Sequence, residues 1–354
     1  MAFVIPNFSK TKVSRAGSIL ISSNATPDEY SSALELLNHW RACHAYPINT
    51  FQATLRDRLK RININALVAQ RLKRTPSILR KLERNPGMQM ARMQDIGGLR
   101  AVVNSISEVN KIHKLYGDLN LTHEKYGEDD YIKSPKNSGY RSLHLIYKYK
   151  NPANPIYDGL CVELQIRTKL QHAWATAVET IGTYLDQSLK SSEGSQEWLD
   201  YFKVVSAAFS HLEKCPTHSD FHGMSFLEIC QKVQALSSQL DVIRKLNSFS
   251  IATSAIEKKK VQGNYHIILL DAKDKIVTIT SYGQKRIEEA NRKYSELESI
   301  TKSDIDKQVV LVATNSIKAL KKAYPNYFLD TKEFISALRR VERICQSDNP
   351  SSIE

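Results

Sequence analysis

A single stretch of the sequence brings cationic and aromatic side chains together in a way that suits phosphate chemistry. In YIKSPKNSGYRSLH, Lys133, Lys136 and Arg141 surround a backbone rich in proline, asparagine and glycine. Such a backbone bends easily, so the cationic side chains can close on a polyphosphate. Tyr140 lies in the same loop and offers a flat ring on which a base could stack. The stretch therefore predicts a site for a phosphorylated nucleotide.

Two strand-like runs follow this loop. Residues 141–149 alternate in character, and His144 falls on the more polar side of the alternation. Residues 161–167 alternate as well, with Glu163, Gln165 and Arg167 on one side and apolar residues on the other. One strand would thus present a carboxylate, an amide and a guanidinium on a single face. A purely structural strand rarely carries this set, and a solvated strand face is the alternative.

A second group of cations lies upstream, in the segment RLKRTPSILRKL. Arg71, Lys73 and Lys81 belong to it, and Ser77 is predicted to cap a helix over residues 78–84. A helix N-terminus beside so many cations suits a triphosphate, because its free N–H groups and its dipole attract anions. An exposed basic helix is the alternative interpretation.

Asp95 is a candidate metal ligand close to these cations in the sequence. It precedes a turn predicted at Gly97 and Gly98 and a buried strand predicted over residues 99–103, from which Arg100 projects. Carboxylate oxygens hold Mg²⁺ together with substrate phosphates, so Asp95 and a bound nucleotide could share the ion. A plain turn-forming role for Asp95 is the alternative.

The composition is that of an ordinary globular protein, but the charge is uneven. The chain has 354 residues, enough for two domains, and a net charge of +13. Most of this charge lies in the first hundred residues, which indicates a polyanionic partner such as RNA, or solubility around a nucleotide pocket. No apolar run approaches the ~20 residues of a membrane span, and the N-terminus does not predict a signal peptide.

The five cysteines are scattered along the chain without a CxxC pair. This spacing predicts neither a zinc site nor a disulfide framework. It fits a reducing compartment, so we expect a cytoplasmic protein.

Hydrophobic periodicity predicts the surrounding elements and a boundary near residue 250, which divides the chain into domains 1–250 and 251–354. Helices are predicted over residues 27–46, 50–69, 78–84, 107–120, 168–189, 197–212 and 225–246, with an acidic turn over 128–130. In the second domain, a hairpin is followed by a helix, a strand and two helices, over residues 266–270, 276–280, 287–297, 309–312, 316–323 and 331–345. The second domain has neither paired carboxylates nor a phosphate loop, so it is predicted to be a binding module.

Five motifs, taken in their order along the chain, closely resemble the RelA/SpoT-type pyrophosphokinase domain. They are RLKRTPSILRKL, DIGGLR, YIKSPKNSGYRSLH, VELQIRT and QHAWATAVET, which together span about residues 65–185. The resemblance implies an α+β fold with a nucleotidyltransferase-like mixed sheet flanked by helices. It also implies transfer of the β,γ-pyrophosphate of ATP to a 3′-hydroxyl, with Mg²⁺ as cofactor.

The resemblance also implies a role for each matching residue. Asp95 would bind Mg²⁺, and Glu163 would bind the metal or activate the 3′-hydroxyl as a general base. The residues that bind ATP and its phosphates would be Arg71, Lys73, Ser77, Lys81, Arg100, Lys133, Lys136 and Arg141. The acceptor would be placed by Tyr140, His144 and Gln165.

The C-terminal hundred residues resemble the regulatory domain of fused toxin–antitoxin members of this family, the CapRel group. In that group the synthetase pyrophosphorylates the 3′ CCA end of tRNA, a pseudo-zinc-finger domain restrains it, and a phage capsid protein triggers it. AYPNY at residues 323–327 matches a neutralising YxxY motif. Tyr324 and Tyr327 would then cover the adenine site of ATP, and ordinary packing between helices is the alternative.

The leading hypothesis is a cytoplasmic ATP:tRNA pyrophosphokinase toxin fused to its own antitoxin domain and used in antiphage defence. The implied partners are tRNA, a phage protein, and the intramolecular toxin–antitoxin contact. A second hypothesis is a small alarmone synthetase that uses GDP or GTP as acceptor, with a regulatory C-terminal domain. A third is a catalytically dead module that binds RNA or protein, against which the pair Asp95 and Glu163 argues.

Overall fold

The computed structural model of the chain describes residues 3–62, 64–117, 122–184, 189, 194–246, 265–271, 273–274, 276–283, 286–301, 304, 307–313 and 331–347. Its helices are α1 (Lys10–Leu20), α2 (Pro27–Cys43), α3 (Ala45–Arg61), α4 (Thr75–Arg84), α5 (Ile106–Gly117), α6 (Lys169–Tyr184), α7 (Gln196–Glu213), α8 (Phe226–Gln239), α9 (Ile287–Ile300) and α10 (Lys332–Ser347). Its strands are β1 (Leu67–Leu72), β2 (Gly97–Val103), β3 (Glu124–Asp130), β4 (Leu143–Lys148), β5 (Cys161–Thr168), β6 (Tyr265–Asp271), β7 (Ile276–Tyr282) and β8 (Lys307–Ala313).

The strands form one mixed sheet in the order β3-β4-β5-β2-β1-β8-β6-β7. Strands β2 and β5 run parallel near its centre, and the other neighbouring pairs run antiparallel. Helix α3 packs against β1 and β2, and α6 packs against β5 and β2. The predicted α+β fold, a mixed sheet flanked by helices, is therefore confirmed.

The alternation in β5 sets which side chains face the site. Val162, Leu164 and Ile166 are buried in the core that α1 to α5 form on one face of the sheet. Because neighbouring side chains on a strand point to opposite faces, Glu163 and Gln165 face the other side. The predicted alternation thus matches the burial over residues 162–166, whereas Arg167, predicted on the polar side, is buried at 2% exposure.

The strands of the C-terminal part continue the sheet of the first part. β8 pairs with β1, with Gln70 opposite Ala313 and Arg71 opposite Val312. Helix α10 packs against α6, α7 and α8. Its Phe334 ring lies 5.6 Å from the ring of Phe209, centroid to centroid. The division into domains 1–250 and 251–354 and the pseudo-zinc-finger assignment both stay predictions, and the two parts share a sheet and a core.

Four local predictions are wrong. The turn predicted at Gly97 and Gly98 is not there, because both residues belong to β2 and the chain turns at Asp95 instead. The helix predicted over 50–69 ends at Arg61, and residues 67–72 form β1, which is paired on both edges. Residues 128–130 belong to β3 rather than to a turn. Ser77 does not cap α4, because the helix already begins at Thr75, with Pro76 in its first turn, where its fixed φ is favourable. The helix predicted over 316–323 lies outside the described residues.

The start of α2 follows its sequence signal. Thr26 accepts from the N–H of Glu29 (3.3 Å), and the Glu29 carboxylate accepts from the N–H of Thr26 (2.9 Å), with Pro27 in the first turn. This reciprocal capping satisfies donors that the helix itself leaves free. Within the described part of the chain, no helix combines the length and apolar character of a membrane span.

The cysteine prediction is wrong in one respect. Cys230 of α8 and Cys345 of α10 form a disulfide across a sequence separation of 115 residues. Partners so far apart leave no local spacing pattern, so the sequence carries no signal for the pair. The bond joins the C-terminal helix to the helices that precede residue 250.

Candidate active site

Asp95 is held between two of the predicted phosphate-binding lysines. Its Oδ2 lies 2.8 Å from Nζ of Lys73, and its Oδ1 lies 3.0 Å from Nζ of Lys81. Lys73 follows β1, Asp95 lies in the turn before β2, and the N–H of Lys73 donates to the carbonyl of Ile96 (2.9 Å), which fixes the two segments together. Burial acts to raise the pKa of Asp95, but the attraction of Lys73 and Lys81 outweighs it and lowers the pKa to about 2. Asp95 is therefore ionised at neutral pH.

Glu163 lies on the neighbouring strand and has its own partners. Strand register places it opposite Gly98 of β2. Its Oε1 lies 2.8 Å from Nδ1 of His144, and its Oε2 accepts from the amide of Gln165 (2.7 Å). Burial acts to raise the pKa of Glu163, but the hydrogen bond and positive charge of His144 lower it overall. Glu163 is thus a second carboxylate that is ionised at neutral pH.

His144 links this carboxylate to the predicted acceptor platform. Its Nε2 lies 2.9 Å from the hydroxyl oxygen of Tyr140. Burial alone would lower the pKa of His144, but the oxygen of Tyr140 and the carboxylate of Glu163 raise it above its ordinary value. A protonated ring donates from both nitrogens, one to each neighbour. Tyr140, His144, Glu163 and Gln165 therefore form one connected hydrogen-bond network.

The two carboxylates line the same cleft. Its walls are formed by Ala69, Arg71, Lys73, Asp95, Gly98, Leu99, Arg100, Glu163 and Gln165. The two groups are close enough that the negative charge of Asp95 acts to raise the pKa of Glu163. The free volume is only about 50 Å³.

The loop between β3 and β4 presents its cations beside aromatic rings. Nζ of Lys136 lies 4.2 Å from the ring centroid of Tyr131 and 5.7 Å from that of Tyr140. Such cation–π contacts hold the ammonium group at the ring faces. Lys133 is exposed and pairs with Asp130 at 3.2 Å. Tyr131 belongs to the same cluster and was not among the predicted site residues, although it begins the stretch that the sequence singles out.

The same loop is held tightly against α7. Gly139 adopts φ +85°, and its carbonyl accepts from the hydroxyl of Ser206 (2.5 Å). A Cβ added at Gly139 would lie 2.9 Å from Cβ of Ser206. The turn therefore needs glycine both for its backbone angle and for the close approach to α7.

Arg141 is not brought into the cleft. Its guanidinium is buried and lies 2.9 Å from the carboxylate of Glu213 in α7. Glu213 also accepts from the hydroxyl of Thr168 and from the amide of Gln171. This geometry favours a structural role that joins the loop to α7, so phosphate binding by Arg141 stays a prediction without support from its position. Glu213 carried no sequence signal, since its partners lie far away in the chain.

The remaining predicted residues divide into two groups. Ser77 lies in the first turn of α4, and Arg71 and Arg100 line the cleft beside the carboxylates. Tyr324 and Tyr327 lie outside the described residues. Among the described residues, no group of three or more His, Cys, Asp and Glu side chains could hold a metal ion. A magnesium ion here would rely on two carboxylates and on the substrate.

Comparisons with known proteins agree on the segment that contains the cleft. Residues 70–188 match a family model described as a region found in RelA / SpoT proteins. The chain is 33% identical over 111 residues to the GTP pyrophosphokinase YjbM of Bacillus subtilis, a match that covers 31% of this chain and 52% of that protein. It is 30% identical over 146 residues to the GTP pyrophosphokinase of Photobacterium angustum, covering 41% of this chain and 18% of that protein. The matches thus span about half or less of these relatives.

Among solved structures, the small alarmone synthetase 1 from Bacillus subtilis bound to its product pppGpp is 24% identical, with a TM-score of 0.43, and the match covers 49% of this chain and 90% of that one. The family model matches residues 70–188, a segment that includes all the predicted site residues except Tyr324 and Tyr327. The CapRel grouping stays a prediction.

Proposed function

We propose that the protein is an ATP-dependent pyrophosphokinase that transfers the β,γ-pyrophosphate of ATP to a 3′-hydroxyl and releases AMP as the leaving group. The observation that carries the proposal is the cleft in which Asp95 and Glu163 meet the cations Arg71, Lys73 and Arg100. Pyrophosphoryl transfer needs carboxylates for a metal ion and for deprotonation, and cations around the polyphosphate. The RelA/SpoT-type region and the GTP pyrophosphokinases to which it is similar support the same class of reaction.

The donor set of the cleft suits Mg²⁺ in the presence of ATP. Mg²⁺ is commonly held by one or two carboxylates together with substrate phosphates, and Asp95 and Glu163 supply two carboxylates. When bound, the ion would offset the negative charge of the polyphosphate. Lys73 and Lys81, which neutralise Asp95 in this structure, would turn to the phosphates. Asp95 would then exchange its lysine partners for the metal.

The acceptor side would be organised around Glu163. Its carboxylate can accept the proton of the 3′-hydroxyl, while Gln165 and His144 hold it in place. The ring of Tyr140, fixed through its hydroxyl by His144, would stack on the acceptor base. Lys136, held at the rings of Tyr131 and Tyr140, would meet a phosphate of the acceptor.

We further propose tRNA as the acceptor, within a fused toxin–antitoxin used in antiphage defence. The net charge of +13 supports a polyanionic acceptor. Tyr324 and Tyr327 would block ATP until a phage protein, such as a capsid protein, binds the open state. That partner must favour the open state by about 5.5 kcal/mol to move the chain from mostly closed to mostly open. The names of the similar GTP pyrophosphokinases favour GDP or GTP as the alternative acceptor.

The test is transfer of label from γ-³²P-ATP to bulk tRNA, GDP and GTP, assayed in parallel with the full-length chain and with its Tyr324→Ala variant, in which the proposed block is removed. Glu163→Gln should reduce transfer by roughly 100- to 10,000-fold, because it keeps the size of the side chain and removes the base. Glu124→Gln, at an exposed position on β3, is the matched control and should leave transfer unchanged. Label on tRNA supports the toxin, and label on GDP or GTP supports the alarmone synthetase. Wild-type turnover by Glu163→Gln would remove Glu163 from the mechanism.

Autoinhibition is tested by growth of a bacterial host that expresses Tyr324→Ala. The variant should be toxic without a trigger, because the adenine site would no longer be covered. Tyr324→Phe keeps the ring and serves as the control, which should stay harmless. A folded, harmless Tyr324→Ala protein would exclude inhibition by this tyrosine.

A further inference from the structure

A buried ion pair joins the C-terminal part of the chain to the start of the helix that carries Ser77 and Lys81. Arg41 of α2 and Glu298 of α9 lie 2.7 Å apart, with side chains only 2% and 7% exposed. Both residues lie outside the RelA/SpoT-type region at 70–188. Taking two charges out of water is costly, so the pair needs further hydrogen bonds to be stable.

Those hydrogen bonds centre on Thr75, the first residue of α4. The N–H of Thr75 donates to Oε1 of Glu298 (2.7 Å), and its hydroxyl donates to Oε2 (2.9 Å). Arg41 donates to the same hydroxyl oxygen (2.7 Å), and Tyr294 donates its hydroxyl to Glu298 (3.0 Å). A carboxylate at this position satisfies a free N–H group and complements the positive end of the helix dipole. Glu298 therefore caps α4 from a position 223 residues away in the sequence.

The C-terminal part also holds the segment just before α4. The side chain of Arg74 donates to the amide oxygen of Gln308 in β8 (3.1 Å), and Arg71 of β1 pairs with Val312 of β8. The whole phosphate-binding segment, from Arg71 to Lys81, is thus anchored by residues beyond 290. Glu298 itself does not line the cleft, so its effect on a nucleotide must act through α4.

We propose that Glu298, held in place by Arg41, is a positioning residue for ATP. By capping α4 it fixes the direction of the first turn, which places Ser77 and Lys81 where the phosphates enter. The inference rests on the proposed function, because it concerns the donor side of the same cleft. It gives the C-terminal part a role in building the ATP site as well as the proposed role in blocking it.

The experiment is calorimetric titration of the full-length chain with a non-hydrolysable ATP analogue and Mg²⁺, carried out in parallel in a Tyr324→Ala background, in which the proposed block of the ATP site is removed. Glu298→Gln keeps an acceptor for the N–H of Thr75 but removes the charge that Arg41 and the helix dipole require. We expect it to weaken binding of the analogue by about tenfold, which corresponds to about 1.4 kcal/mol. Glu296→Gln is the matched control on the same helix, since Glu296 is 53% exposed and pairs with Lys293 at the surface. It should bind the analogue like the wild type.

A second measurement separates positioning from general destabilisation. At saturating ATP, transfer of label by Glu298→Gln should return to within about twofold of the wild-type rate, because Glu298 touches neither the substrate nor the reacting atoms. The raised KM for ATP with an unchanged kcat would be the signature of positioning. A change in thermal stability alone, with unchanged ATP binding, would show that the ion pair is only structural and would overturn the proposal.

The double variant Arg41→Met/Glu298→Leu covers the case in which the single variant does not fold. It leaves no buried charge unpaired, yet it still removes the cap of α4. It should fold and bind the analogue at least about tenfold more weakly. If neither variant folds, the pair is needed for folding and the proposal fails. If the analogue binds neither the wild-type chain nor Tyr324→Ala, the proposed function fails first, and the two failures are thereby distinguished.

Discussion

Removal of one aromatic ring in α10 would test whether the C-terminal part and the rest of the chain form one cooperative unit. Phe334 is fully buried, and its ring lies 6.1 Å from that of Phe202 and 5.6 Å from that of Phe209. Both partners belong to α7, which precedes the predicted domain boundary. Phe334→Ala should therefore destabilise the whole chain rather than its last helix alone.

The size of the effect follows from the burial. Phe→Ala in a well-packed core costs about 3–5 kcal/mol, since it loses the transfer free energy of the ring and leaves a cavity. Domains are stable by only about 5–15 kcal/mol, so this loss is a large fraction of the total. For a chain of 354 residues that unfolds as one unit, the melting temperature should fall by about 5 °C.

Scanning calorimetry combined with hydrogen exchange would measure this effect. In Phe334→Ala, exchange should become faster in β4 and β8 together, because both strands belong to the same sheet. Ile300→Ala is the control, since Ile300 is 66% exposed and its loss should change stability by no more than about 0.5 kcal/mol. Faster exchange confined to α10, with β4 unchanged, would refute the shared core and favour two independent domains.

Three further perturbations report on single contacts. Asp95→Asn should lower the free energy of unfolding, measured with urea at neutral pH. Because the pKa of Asp95 in the folded chain is lowered to about 2, this difference in unfolding free energy between variant and wild type should persist above about pH 4. It should vanish as the pH falls through 2. Cys345→Ser should lower the free energy of unfolding, measured by thermal unfolding, by about 2–5 kcal/mol. A reducing agent added to the wild type should have the same effect, because both remove the disulfide. Gly139→Ala should lower the free energy of unfolding by about 1–3 kcal/mol. The loss should be larger than for Gly87→Ala, because Gly87 has a similar φ of +86° but a Cβ added there would meet no atom within 4 Å.

Much of the candidate site was accessible from the sequence because its residues occur in short motifs. Asp95 was identified as a carboxylate before a predicted strand, Glu163 as a carboxylate on one, and Lys73 as a cation before a predicted helix. The period of two in residues 161–167 placed Glu163 and Gln165 on one face, and burial of Val162 and Leu164 on the other face agrees. Local pattern is sufficient here, since a strand fixes the relative direction of neighbouring side chains.

The rest could not be predicted, because it depends on contacts between distant segments. Arg41 and Glu298 are 257 residues apart, and Cys230 and Cys345 are 115 apart. Arg141 was predicted to bind phosphate, because no residue near it in the sequence indicates that Glu213 is its buried partner. The type of a charged residue does not show whether its side chain is buried or exposed. Tertiary packing decides which charged side chains remain free to bind a ligand.

The position of β8 bears on how inhibition can be tested. A chain cut at residue 250 would lose β8, which exposes an edge of β1, and Glu298, which leaves Arg41 buried without its carboxylate. An inactive or aggregated fragment would then report a damaged ATP site, whatever the C-terminal part does to nucleotide access. Tyr324→Ala keeps both β8 and Glu298 in the chain. The point variant is therefore the sharper test of autoinhibition.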